Sequence, residues 1–216
     1  ILAQAGLPFN KEYLASTATE AVSAATEIGF PVAVKVASPN IQHKTEISGF
    51  ELGLTGPDDV RRAFIAVTSR ARRTHADAYI EGVLVSRMVT GGIETILGAH
   101  HDPTFGQVVM FGLGGIFVET IEDVSFRVAP FGDDEAHRMM RELKGFPLLD
   151  GTRGGPRCDL DRLAAVISSL SRFAATHAGS LQSTELNPLV VLPTEHDLVA
   201  LDALIVTRQE PVPPEK

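Results

Sequence analysis

Early in the chain the apolar period changes abruptly from that of a helix to that of a strand. From Thr17 to Ile28, the residues Ala18, Ala21, Val22, Ala25 and Ile28 form one helical stripe, which can be buried on one side only. Thr17 and Glu20 have capping-box spacing, and Gly29 stands where a helix stops. From Pro31 to Ala37, Val32, Val34 and Val36 share one face of a strand, which leaves Lys35 on the other. A helix that runs directly into a strand needs layers that bury both elements against each other.

The same alternation continues. A strand is predicted at Phe50–Leu54, then a helix at Pro57–Arg73 with Val60, Phe64 and Val67 inward. Val83–Val89 and Ile93–Ala99 read as strands joined through Thr90-Gly91-Gly92. Gln107–Phe111 and Ile116–Glu119 read as strands on either side of a glycine turn. Asp133 is placed to cap a helix carrying Ala136, Met139, Met140 and Leu143. Asp159 is placed to cap a longer one carrying Leu163, Val166, Ile167, Leu170 and Phe173. Two strands close the chain, near Pro188–Leu192 and Leu198–Val206. The segment after Arg208, QEPVPPEK, has the composition of a linker or frayed end. These elements predict an α/β architecture in two lobes, with a boundary near Arg73–Glu81.

Charge and cysteine content narrow the function. A net charge of −8 argues against nonspecific nucleic-acid binding. The single cysteine, Cys158, forms no internal disulfide and has no base beside it in sequence, so it reads as an inert thiol in a reducing, cytoplasmic setting. No run approaches the about 20 apolar residues that a membrane helix needs. The chain opens at Ile1-Leu2-Ala3 without Met, which suggests a piece of a longer protein.

Several residues carry chemistry. An ammonium midway along a strand needs water, a partner or a ligand, and phosphate would suit Lys35; an edge-strand lysine with its head in water is the plainer alternative. The loop Ser38–Ser48 is rich in donors and includes His43, either a surface histidine or a nucleophilic imidazole. Gly112-Leu113-Gly114-Gly115 lets backbone amides approach an anion or simply turns the chain, and it is no Walker loop because no Gly-Lys-Ser/Thr follows. Arg127, Arg153 and Arg157 stand near Gly/Pro-rich stretches, where an arginine fork meets phosphate or merely decorates a loop.

The closing strands say most. Glu185 and Asn187 are two apart and face one way when extended. A tight hairpin centred on Thr194-Glu195 would pair Leu192 with Asp197, Leu189 with Ala200 and Asn187 with Asp202. Three oxygen-bearing side chains would then share one face, as Mg²⁺ prefers. A slip of one residue would undo this.

Taken in order, VAVKVASPNIQHKTEISGFELGL, GGIETILGAHHDPTFGQVVMFGLGGIFVETIEDVSFRVAP, LLDGTRGGPRCD and TELNPLVV…ALDALI resemble the ATP-grasp domain of ADP-forming acyl-CoA synthetases, a group related to the succinyl-CoA synthetase β subunit. The resemblance runs from about Ile1 to Val206. It implies an α+β ATP-grasp fold over 1–208, with two lobes gripping a nucleotide, a smaller nucleotide lobe inserted roughly over 18–85, and a Pro-rich tail or linker over 209–216. It implies the conversion of acid, CoA and ATP to acyl-CoA, ADP and phosphate through an acyl phosphate and a phosphohistidine. The main histidine, CoA and the acyl site then belong to a CoA-binding domain or α subunit.

By the same resemblance, Lys35 contacts the nucleotide phosphates, with Ser38, Glu81, Met88 and Glu94 completing the ATP/ADP site. Gly112, Gly114 and Gly115 shape the phosphate-side loop. Asn187 and Asp202 hold Mg²⁺ with Glu185 beside them. His43 and Arg153 stand in the phosphoryl path, and Glu119 matches a further family acid. The chain departs from many relatives at Ser48-Gly49, where they carry Gly-Gly, and at Ser86-Arg87, where they carry Gln-Glu or Gln-Pro. A non-catalytic nucleotide sensor of a multidomain acetyltransferase-type protein, or another ATP-grasp carboxylate ligase, would share most of these residues.

Overall fold

The computed structural model describes residues 1–41, 47–115, 123–151, 158–193 and 198–208. The chain divides into two compact units: Asn10–Thr90, and Ile1–Phe9 together with Gly91–Lys216. The first is inserted in the sequence of the second.

In the inserted unit, β1 (Glu12–Ala15), β4 (Gly82–Arg87), β2 (Val32–Ala37) and β3 (Phe50–Leu54) lie side by side in that order, all antiparallel. Helices α1 (Ala18–Ile28) and α2 (Pro57–Thr74) cover one face. The register explains which one: Val34 pairs with Val85 and Val36 with Val83, and these four pack with Ala21, Ala25, Val60 and Val67. Each fully buried valine contributes about 1.5–3 kcal/mol.

The start of α1 is tied reciprocally. Thr17 Oγ1 accepts from the Glu20 amide at 3.1 Å, and the Glu20 carboxylate turns back to the Ser16 amide at 2.8 Å. The return bond reaches one residue further than the Thr17/Glu20 spacing implies. In α2, Asp58 and Asp59 open the helix and Arg72 and Arg73 close it, matching the helix dipole at both ends. Strand β1 has no counterpart in the sequence reading. It is four residues long with one buried member, and only its pairing with β4 makes it a strand.

The other unit is built on an antiparallel sheet in the order β10 (Ala203–Thr207), β8 (Leu181–Val191), β5 (Ile93–Asp102), β6 (Gly106–Leu113), β7 (Val124–Val128), with β9 (Leu198–Ala200) also on β8. Helix α5 (Leu160–Thr176) lies over β5, β6 and β8. Its Leu163, Ile167, Leu170 and Phe173 join Leu97, Phe111, Leu186 and Leu189 in one core. Helix α3 (Asp133–Glu142) packs on α5 through Ala136, Met139 and Met140, and α4 (Phe146–Leu149) follows.

Asp159 caps α5, accepting from the Arg162 amide at 2.9 Å. Asp133 does not cap α3: Gly132 holds that position, and the Asp133 carboxylate instead accepts from Ser168 of α5. Cys158 is buried, and burial pushes its thiol pKa up, away from reactivity. Among the described residues no helix is long and apolar enough to cross a membrane. The predicted strand Ile116–Glu119 and the tail 209–216 lie outside the described residues.

Candidate functional site

Strand β8 shows how a proline sits inside a sheet. Leu97 pairs with Leu186 and Thr95 with Leu189, so Asn187 and Pro188 together stand opposite the single residue Ile96. That is a β-bulge, where a sheet interior tolerates proline and where side chains are re-aimed. The returning strand breaks at the same level, between Ala200 and Ala203.

Pairing continues through the break. Leu189 faces Ala200 and Leu186 faces Ala203, while the Asn187 amide donates to the Asp202 carbonyl at 3.2 Å and the Leu201 amide to the Pro188 carbonyl at 3.0 Å. The predicted hairpin register therefore holds from Leu189 to Glu185; Asp197, the predicted partner of Leu192, lies outside the described residues.

Leu186 and Leu189 point into the core, so Glu185 and Asn187 point to the sheet's other face. Their contact agrees, with Asn187 Nδ2 donating to Glu185 Oε1 at 2.8 Å. Asp202 lies in the break between β9 and β10, and its carbonyl accepts from the Asn187 amide, so its backbone stands beside Asn187. Its Oδ1 accepts from the Ala203 amide at 3.0 Å, and a carboxylate has further lone pairs. Glu94 joins this face from β5. It is exposed, and its carbonyl accepts from the Gly114 amide at 2.6 Å.

Glu185 and Asn187 are in contact and Asp202 stands beside Asn187 along the chain, and side chains of this kind are a donor set that would suit Mg²⁺ completed by water and phosphate. Among the described residues no three His, Cys, Asp or Glu side chains gather into a cluster. An amide oxygen is needed to make the set.

The glycines beside Glu94 have packing reasons. A Cβ on Gly112 would come within 2.8 Å of the Asp123 carbonyl, and one on Gly114 within 2.9 Å of the Glu94 backbone. Gly115 has φ +67, the left-handed region. Here the chain turns sharply at the edge of the open face.

A model of the ATP-grasp domain matches residues 1–207. The chain belongs to the ATP-grasp family. It is 36% identical over 208 residues to the β subunit of acetate–CoA ligase [ADP-forming] II of Pyrococcus furiosus, covering 96% of this chain and 88% of that one. It is 39% identical over 202 residues to acetate–CoA ligase [ADP-forming] I of Archaeoglobus fulgidus, covering 90% of this chain but only 29% of that longer one.

Among solved structures, the acetyl-coenzyme A synthetase 1 of Ca. Korarchaeum cryptofilum with coenzyme A and Ca-AMPCP superposes with a TM-score of 0.91 at 36% identity, covering 96% of this chain and 89% of that one. The same enzyme with coenzyme A and Mg-AMPPCP, its phosphohistidine segment pointing towards its nucleotide binding site, gives a TM-score of 0.81 at 33% identity, with 96% and 88% covered. The likeness makes this an ATP-grasp domain related to ADP-forming acyl-CoA synthetases.

Within the inserted unit of this ATP-grasp domain, Lys35 is on β2, an interior strand, so the edge-strand alternative falls. Its side chain is largely buried on the face away from the helices, with Nζ 2.8 Å from Glu12 Oε1. Sequence reading missed Glu12, whose strand shows no clear period. Ser38 leaves β2 half-buried, its Oγ accepting from the Asn40 amide at 3.2 Å. Glu81 is exposed, and its amide donates to the Ala37 carbonyl at 2.9 Å, one step beyond the β2–β4 ladder.

Met88 is half-buried, and its amide donates to the Pro31 carbonyl at 3.0 Å. The Arg87 carbonyl accepts from Asn10 Nδ2 at 2.8 Å. Two backbone groups of the strand that could read a base therefore already have partners in the chain, one of them a side chain that is easily exchanged.

His43, Glu119, Arg153 and Arg157 lie outside the described residues. Arg127 is not poised for phosphate. Its Nε meets Glu135 at 2.6 Å, and its Nη atoms meet Glu142, one of them at 3.1 Å, so it clamps β7 to α3.

Proposed function

We propose that this ATP-grasp domain is the nucleotide half of an ADP-forming acyl-CoA synthetase, working with a CoA-binding domain or α subunit that carries the phosphohistidine. The reaction is acid, CoA and ATP to acyl-CoA, ADP and phosphate, or the reverse, in the reducing cytoplasm. The observation that supports this reading is the bulged register that brings Asp202 beside Asn187, which in turn contacts Glu185. These three side chains would hold Mg²⁺. A bound Mg²⁺ would neutralise charge on the β- and γ-phosphate oxygens.

Lys35 holds the phosphate chain, with Ser38, Glu81, Met88 and Glu94 around the nucleotide and Gly112, Gly114 and Gly115 shaping the turn beside it. In the ATP-consuming direction a histidine nitrogen bonds to the γ-phosphorus, and the bond to the bridging oxygen breaks to leave ADP. His43 and Arg153 serve that transfer, His43 as a second phosphoryl carrier and Arg153 as a charge partner. The domain's task is alignment and charge neutralisation.

Calorimetric titration with Mg-ATP and Mg-ADP tests this, run on wild type, Lys35→Ala and Asp202→Ala. Wild type binds, and each variant binds tenfold weaker or worse, a loss of about 1.4 kcal/mol. Without Mg²⁺ the Asp202→Ala deficit disappears and the Lys35→Ala deficit stays. Absence of binding by wild type with Mg²⁺ present overturns the reading for this chain.

A further inference from the structure

The Lys35–Glu12 pair spans strands that are not neighbours, because β4 lies between β1 and β2. Glu12 faces Ser86, and Ser86 faces Ala33, whereas Lys35 faces Leu84. The lysine head therefore crosses β4 diagonally, two residues along the strand. The path runs beside half-buried Leu84, which faces Lys35, and over buried Ser86, which faces Glu12. The Lys35 side chain is 13% exposed, and that of Glu12 is 30% exposed. A lysine serving only solubility would carry its head outward to water. This one is drawn across the face away from the helices to a carboxylate.

We propose that Glu12 is a positioning residue for phosphate recognition: its carboxylate fixes Lys35 Nζ on the face of the small sheet away from the helices, where the ammonium meets the nucleotide's phosphates. The inference rests on the reading of Lys35 as the phosphate contact. An ammonium has three donors and no acceptor, so a carboxylate and phosphate oxygens fit on it together. The charge arrangement is also suitable. A largely buried ammonium is costly without a counter-ion, and Glu12 is one such partner.

The test titrates wild type, Glu12→Gln, Glu12→Ala, Lys35→Ala and the Glu12→Ala/Lys35→Ala double variant with Mg-ADP by calorimetry and with adenosine by NMR. Glu12→Ala weakens Mg-ADP about tenfold and leaves adenosine within about twofold. Glu12→Gln, which keeps the shape and one acceptor oxygen, falls between wild type and Glu12→Ala. In the Lys35→Ala background Glu12→Ala has no further effect.

Thermal melting of each variant separates loss of binding from loss of fold, and Glu12→Gln remains the isosteric control. Mg-ADP binding by Glu12→Ala that matches or exceeds wild type overturns the proposal, as does an equal loss for adenosine or an undiminished loss in the Lys35→Ala background. If Lys35→Ala weakens Mg-ADP but Glu12→Ala does not, only the role of Glu12 falls. If Lys35→Ala costs nothing, the phosphate role of Lys35 falls with it.

Discussion

Residues 10–90 carry nine basic and nine acidic side chains, so the whole net charge of −8 belongs to the other unit. The cores differ as well. The inserted unit is filled by Val, Ala and Ile, with Val32, Val34, Val36, Val83 and Val85 at its centre. The larger unit is filled by Leu, Met and Phe, including Phe111, Leu186, Met139 and Met140. Their open faces differ in the same sense. One holds an ammonium beside a carboxylate, and the other holds the Glu185 carboxylate beside the Asn187 amide. Under the proposed function the inserted unit contributes a cation to phosphate recognition, and the larger unit contributes metal ligands. Acidity in the larger unit is then compatible with an anionic substrate, because the metal reverses the local charge.

The largest effect that could break this comparison is in the cores. Phe111→Ala, at a fully buried position, costs about 3–5 kcal/mol, whereas Val34→Ala in the smaller core costs about 2 kcal/mol. Hydrogen exchange read by mass spectrometry shows Phe111→Ala lowering protection across residues 91–208 and Val34→Ala lowering it across 10–90. Equal loss in both units from either variant means that they unfold as one body.

A smaller effect separates the units by pH. Arg127 holds the Glu135 and Glu142 carboxyls below the usual glutamate range, and both pairs lie in the larger unit. Lowered folded-state values mean that this stabilisation is present above the unfolded glutamate pKa of about 4.3 and is lost as pH falls through the folded values. Arg127→Met therefore lowers stability at neutral pH, and only modestly, because the pairs are part-exposed and screened. Urea midpoints of variant and wild type converge in acid. A gap that stays constant with pH would show that Arg127 acts through packing alone.

The smallest effect is in the inserted unit. Ser48 has φ +48, the one left-handed non-glycine residue among those described. Ser48→Gly relieves that conformation and raises stability by about 0.5 kcal/mol after the extra chain entropy of glycine. A fall in the melting temperature would show that the serine side chain compensates for its backbone.

Local signals told most where a segment answers to its own residues. The Phe50–Leu54 strand, the Pro57 helix start and the Asp159 cap follow from period and capping chemistry. The hairpin register was also legible, since a short connection leaves few ways to pair Glu185–Val191 with Leu198–Leu204 and apolar faces must coincide. Strands β1 and β7 were not legible. Each is short and half-exposed, and each exists because a neighbour offers a hydrogen-bonding edge. Arg127 misled for a related reason: the glutamates it meets come from a helix that no local pattern places beside it.

The sequence by itself determined that helices and strands alternate, that Glu185 and Asn187 share a face, and that Asp202 returns beside them. All three depend on periods of a few residues. Only the tertiary structure decided that Lys35 lies on an interior strand and that Glu12 reaches it across β4. Strand order and diagonal contacts are set by how whole faces bury together, a quantity that belongs to no single segment of the chain.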